Sequence, residues 1–87
     1  MTDRYKVLLR PAAVRDLDRL EFKARDRILK ALRSLDESPR PWGSKKLVGA
    51  EAQYRLRVGD HRILYEIVKD SNTVLVFRVA HRREAYR

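Results

Sequence analysis

In "RYKVLLRP" the apolar residues Tyr5, Val7 and Leu9 fall at every second position, which predicts a strand over residues 4–10 that stops at Pro11. Pro11 suits the first turn of a helix, where its missing N–H is not needed. From there the period becomes helical. Ala13, Leu17 and Leu20 form one stripe in "AAVRDLDRL"; Ala24, Ile28, Leu32 and Leu35, with Ala31 beside them, form another in "KARDRILKALRSLDES". Two amphipathic helices in a hairpin are expected, with outward pairs such as Asp16 with Arg19 and Asp26 with Lys30. Pro39, Pro41 and Gly43 in "ESPRPWGS" end the helical signal, and a loop of about ten residues is expected through "KKLVGAEA".

The alternation then returns in "QYRLRVGDHRILYE", interrupted by Gly59 and Asp60, which reads as a two-stranded hairpin. A two-residue turn sets Val58 against His61, Arg57 against Arg62, Leu56 against Ile63 and Tyr54 against Tyr65. One arginine therefore faces another, an arrangement that costs up to about 1 kcal/mol across a ladder unless an anion sits over it. Strands are expected over 54–58, 61–69 and 74–82, the last two separated by "DSNT". Between a three-residue and a two-residue loop, the three-residue one gathers Leu56, Ile63, Tyr65, Ile67, Phe77 and Val79 on one apolar face. It also answers Glu66 with Arg78 and sets Arg82 opposite Arg62, so that Arg55, Arg57, Arg62 and Arg82 share the other face. His81 falls at the end of the core-side row. The expected fold is α+β: a helical hairpin on one face of a small, mainly antiparallel sheet in the order β-α-α-β-β-β.

Charge sharpens this picture. The 87 residues, one domain's worth, carry 21 Lys and Arg against 12 Asp and Glu, a formal net charge of +9. Such an excess points to a polyanionic partner. Residues 1–38 hold ten bases and seven acids, residues 39–87 eleven bases and five acids, so the functional surface is expected in the second half. Without cysteine, thiol nucleophiles and thiolate metal sites are excluded, and two histidines, His61 and His81, are too few for a zinc cluster. No metal and no small-molecule cofactor is implied. No stretch approaches the roughly 20 apolar residues of a membrane span, and the N-terminus has no signal-like apolar run, so a cytoplasmic protein with no membrane partner is expected.

Three motifs in order, K-L-x-G in the loop, Y-R-x-R-x-G-x-x-R-x-x-Y in the hairpin and H-R-R-E-x-Y-R at the end, are similar to toxins of type II toxin–antitoxin modules in the RelE/ParE superfamily. The resemblance spans the whole chain and implies a single RelE-like domain over residues 1–87. RelE-like members of that superfamily cut mRNA in the ribosome; ParE-like members inhibit DNA gyrase without catalysis. The implied partners are a cognate antitoxin, the ribosome and mRNA, and the RelE-like reading is the one expected here, with gyrase inhibition as the alternative. The resemblance also implies a catalytic patch, with Arg55, Arg57, Arg62, Arg82 and Tyr86 at the matching positions. Positions 55 and 57 hold Arg where Lys often stands in the family.

For metal-independent RNA cleavage by a 2′-OH, arginine suits phosphate, because its planar fork binds two oxygens and stays charged. Arg57, Arg62 and Arg82 are expected to stabilise the transition state and Arg55 to orient the backbone. Arginine is a poor proton carrier with a pKa above about 12.5. Tyr86, favoured by the resemblance, and then His81, whose intrinsic pKa is about 6.5, are the candidate bases. Lys45, Lys46, Arg78, Arg83 and Arg87 are candidate RNA contacts, Lys45 and Lys46 being equally readable as loop solubilisers. Trp42 is expected to anchor its loop on the core, with base stacking as the other reading. Tyr54, Tyr65 and His61 are expected to pack, and Glu84 to pair with neighbouring arginines.

Overall fold

Arg10, held at φ −70° and ψ 156° in the extended conformation that residues before proline favour, separates β1 (Lys6–Leu9) from α1 (Pro11–Asp18). The computed structural model describes residues 4–47, 49 and 52–81. α2 (Phe22–Ser34) follows after a short turn. Its Arg25 reaches back over that turn. The guanidinium donates to the carbonyls of Leu17 (3.0 Å), Asp18 (3.1 Å) and Leu20 (3.1 Å) around the end of α1, where carbonyls lack the full intrahelical set of partners. The helical hairpin is thus tied by a side chain of its second helix. No helix among the described residues is long and apolar enough to cross a membrane.

The remaining strands are β2 (Ser44–Lys46), β3 (Gln53–Val58), β4 (His61–Val68) and β5 (Thr73–His81). The sheet order is β1-β5-β4-β3-β2, with β1 parallel to β5 and every other pair antiparallel. The core lies between helices and sheet: Ala13, Leu17, Ile28, Leu32 and Leu35 meet Leu56, Ile63, Tyr65, Ile67, Val74, Val76 and Val79. This is the expected α+β sandwich. β2 is an addition, because the expected loop over "KKLVGAEA" begins within a three-residue strand that pairs Ser44 with Leu56, Lys45 with Arg55 and Lys46 with Tyr54. Three polar residues are too few to show a period.

The first hairpin has the expected register, including Arg57 opposite Arg62. Gly59 has φ +61°, the first-position requirement of a type II′ turn, and a Cβ there would stand 3.2 Å from the Arg27 guanidinium. The second hairpin does not have the expected register. A 3₁₀ turn at Lys69–Ser71 and Asn72 in the left-handed region (φ 48°) lead into β5, which starts with Thr73 opposite Val68. The ladder then breaks between Leu64 and Tyr65, which face Arg78 and Val76 and leave Phe77 as the extra residue of a β-bulge.

That bulge overturns several expected pairings. Val74 and Val76, both fully buried, occupy the core row in place of Phe77, which is half-buried. Val79 rejoins that row opposite Ile63. Glu66 faces Leu75, not Arg78; Arg62 faces Ala80, not Arg82. Asp16 is not an outward partner of Arg19 alone: its carboxylate, one-tenth exposed, accepts hydrogen bonds from Arg78 Nε (2.8 Å), Arg78 Nη2 (3.2 Å) and the backbone N–H of Val79 (2.9 Å). Asp26 and Lys30 do pair, at 3.4 Å.

Candidate functional site

On β3, Leu56 points into the core, so Arg55 and Arg57 point to the face away from the helices. The ladder adds Lys45 from β2 beside Arg55 and Arg62 from β4 beside Arg57. These four side chains, with Gly43, line a depression of about 250 Å³. None of the described residues lining it is acidic or aromatic. Three strands therefore supply the described cluster, β2 contributing Lys45, while Arg82, which the sequence places on the same face, lies outside the described residues.

The facing arginines avoid stacking charge on charge by taking different environments. Arg57 is exposed, and its Nε donates to the Gly59 carbonyl at 3.2 Å, folding the side chain toward the hairpin turn. Arg62 is only 7% exposed and lies opposite the small Ala80. One guanidinium thus lies deep and one at the rim, with Lys45 exposed and Arg55 half-buried beside them. Such a group, in surroundings that exclude part of the solvent, offers an anion several donors at once.

The other expected site residues that are described lie elsewhere. His81 pairs with His61 in an edge-to-face contact, ring centroids 5.4 Å apart. Both continue the row of Ile63 and Val79, the helix-facing row, so His81 is not brought to the depression. Arg78 is engaged by Asp16. Burial works against ionisation of Asp16, but the hydrogen bonds from Arg78 and Val79 and the charges of Arg78 and Arg19 outweigh it and hold the carboxyl below its usual range. Lys46, next to Lys45 but on the other face, lines a second depression of about 450 Å³ whose wall includes Arg40, Tyr54 and Lys69 but also Glu66 and Asp70. Arg82, Arg83, Glu84, Tyr86 and Arg87 lie outside the described residues.

Two tyrosines brace the loop before β2. Tyr65, buried, donates its hydroxyl to the Pro39 carbonyl at 2.8 Å, and burial pushes its pKa up. Tyr54 stacks on it at 5.9 Å and accepts a hydrogen bond from Arg40 Nε at 3.1 Å, which lowers the Tyr54 pKa. Both tyrosines thus pack as expected. Trp42 does not: it is fully exposed, and the anchoring it was expected to supply comes from Tyr65. Among the described residues no group of three or more His, Cys, Asp or Glu side chains gathers to hold a metal.

Comparison with known proteins gives one family match: residues 7–86 fit the family described as ParE toxin of type II toxin-antitoxin system, parDE. The fold is similar to solved toxins. Against the RelBE2 toxin–antitoxin complex of Mycobacterium tuberculosis the TM-score is 0.79 at 28% identity, covering 90% of this chain and 98% of that one. Against the archaeal RelE–RelB complex of Pyrococcus horikoshii OT3 it is 0.80 at 26% identity, covering 94% and 97%. Against the RelB–RelE complex of Methanococcus jannaschii it is 0.75 at 29%, covering 91% and 94%. No curated protein sequence matches.

Proposed function

Because the chain belongs to the ParE toxin family of type II toxin–antitoxin systems, within the RelE/ParE superfamily, we propose that it is a toxin that cuts mRNA in the ribosome and so arrests translation. The observation that carries this reading is the depression lined by Lys45, Arg55, Arg57 and Arg62. Cleavage here needs no cofactor. The 2′-oxygen attacks the adjacent phosphorus, the bond to the 5′-oxygen breaks, and a 2′,3′-cyclic phosphate and a 5′-hydroxyl result. The negative charge that grows on the phosphoryl oxygens is met by Arg57 and Arg62, while Arg55 and Lys45 hold the flanking backbone. A proton must leave the 2′-hydroxyl and another must reach the 5′-oxygen, tasks arginine does poorly. Tyr86, next to Arg87 and three residues after Arg83 in the sequence, is the proposed base, a role that nearby cations would favour by making its phenol more acidic. His81, on the helix-facing row, ranks behind it.

A cognate antitoxin is the proposed regulator, because the similar structures from M. tuberculosis, P. horikoshii and M. jannaschii are toxin–antitoxin complexes. Its acidic side chains would neutralise the same patch. The family match favours a second reading, a ParE-like protein that inhibits DNA gyrase without catalysis. Induction in cells with primer extension on abundant mRNAs separates the two. Cuts inside codons that require translation are expected; intact mRNA with filamentation and DNA damage would put the gyrase reading in their place.

A further inference from the structure

Trp42, the one tryptophan of the chain, is fully exposed, although full burial of a large apolar side chain stabilises a fold by about 1.5–3 kcal/mol. It contributes nothing of that kind here. Its position is nonetheless built. The Ser44 N–H donates to the Pro41 carbonyl at 3.0 Å, and Gly43 has φ +94°, so Pro41–Ser44 form a type II turn with Trp42 at its second position and the obligatory glycine at its third. Behind the turn, Tyr65 holds the Pro39 carbonyl and Tyr54 holds Arg40. The loop is braced, and its largest side chain is left in water.

Gly43, the next residue, lines the depression with Lys45, Arg55, Arg57 and Arg62. Trp42, exposed, is therefore the immediate chain neighbour of a residue that lines the cationic depression. The depression can take a phosphodiester, but no described residue lining it is aromatic. Cations that track a backbone with an aromatic face beside them are how proteins hold unpaired strands. We infer that Trp42 is a stacking platform for a base of single-stranded RNA whose phosphate sits in the Lys45–Arg55–Arg57–Arg62 depression. This rests on the ribonuclease reading and adds a residue that positions substrate without touching the reacting atoms.

The test uses the full chain on ribosomes programmed with a defined mRNA. Trp42→Ala should raise KM by roughly 5- to 150-fold, the range of one base–aromatic stack, and leave kcat nearly intact. Trp42→Phe should recover most of the loss, and neither variant should shift the melting temperature. As the sole tryptophan, Trp42 also reports directly: its emission should be quenched by a short oligoribonucleotide and not by inorganic polyphosphate. Wild-type cleavage with an unchanged KM for Trp42→Ala, or RNA binding with unchanged emission, overturns the inference alone. So does a Trp42→Ala protein that cuts normally but no longer binds its antitoxin, which would make the indole a protein contact. A wild-type chain that cuts no mRNA overturns the ribonuclease reading itself, and the stacking role goes with it.

Discussion

Arg78 and Arg62 lie on neighbouring strands, Arg78 opposite Leu64 and Arg62 opposite Ala80, yet the charged side chains described beside them differ. Arg78 meets a carboxylate brought by α1, in a two-pronged contact at 2.8 and 3.2 Å. Arg62 shares a depression with Arg55, Arg57 and Lys45. The first arrangement ties a helix to the sheet and holds the bulge, because the same carboxylate also takes the Val79 N–H. The second concentrates charge where the ladder disfavours it. The same side chain is thus a fastener in one place and, under the proposed function, a phosphate ligand in the other, and substitutions should separate stability from activity along that line.

The largest expected effect is on activity. Arg62→Ala removes a buried guanidinium from the proposed transition-state contacts, and kcat on programmed ribosomes should fall about 10²- to 10³-fold. Arg62→Lys keeps the charge and most of the packing but loses the planar fork, so an intermediate loss is expected. Thermal melts of both variants supply the control. A folded Arg62→Ala protein with full activity would break the comparison, because Arg62 would then be no more a ligand than Arg78.

Asp16→Asn should produce the reverse pattern. It weakens charge-assisted hydrogen bonds to Arg78 and Val79, and because Arg78 is about half-exposed the expected cost at neutral pH is about 1–2 kcal/mol. Turnover per folded molecule should stay near wild type. The pH dependence has a definite sign. The Asp16 pKa is lower in the folded state than its ordinary 3.8, so its stabilisation is present in full above that value and is lost as pH falls through the folded value. Urea midpoints measured at pH 7 and on descent below pH 4 should therefore converge for wild type and Asp16→Asn. Parallel curves would show that the ion pair carries no linkage.

The first hairpin was legible because its signals agree: alternation before Gly59-Asp60, and after it broken only by Leu64, together with the two-residue turn leaves one register that keeps Leu56, Ile63 and Tyr65 together. The second was not, because "VLVFRVA" is apolar at nearly every position and fits either parity. What decides it is tertiary: a bulge at Phe77 beside the Val79 N–H that Asp16 accepts from 63 residues earlier. The same cause hid the partner of Arg78. Arg55, Arg57 and Arg62 could be placed together from the hairpin alone, whereas Lys45 could not, since β2 is three polar residues long and exists through its pairing with β3. Trp42 does not anchor its loop because Tyr54 and Tyr65 hold it instead, residues that the pattern showed as packing but not as loop braces.

Lys45 and Lys46 offer the smallest and most discriminating contrast, since adjacent strand residues point to opposite faces. Lys45 stands beside Arg55 at the depression whose described charged lining is cationic throughout; Lys46 stands beside Tyr54 at one whose wall also carries Glu66 and Asp70. As an exposed phosphate contact, Lys45 should be worth roughly two- to fivefold in affinity for a single-stranded oligoribonucleotide. Its removal should also reduce the slope of log affinity against log salt by about 0.7, the value for one contact to a single strand. Lys46→Ala carries the same change of net charge and should move neither quantity beyond a uniform electrostatic offset. Equal effects of the two substitutions would mean that net charge, not the three-strand depression, draws the nucleic acid to this surface.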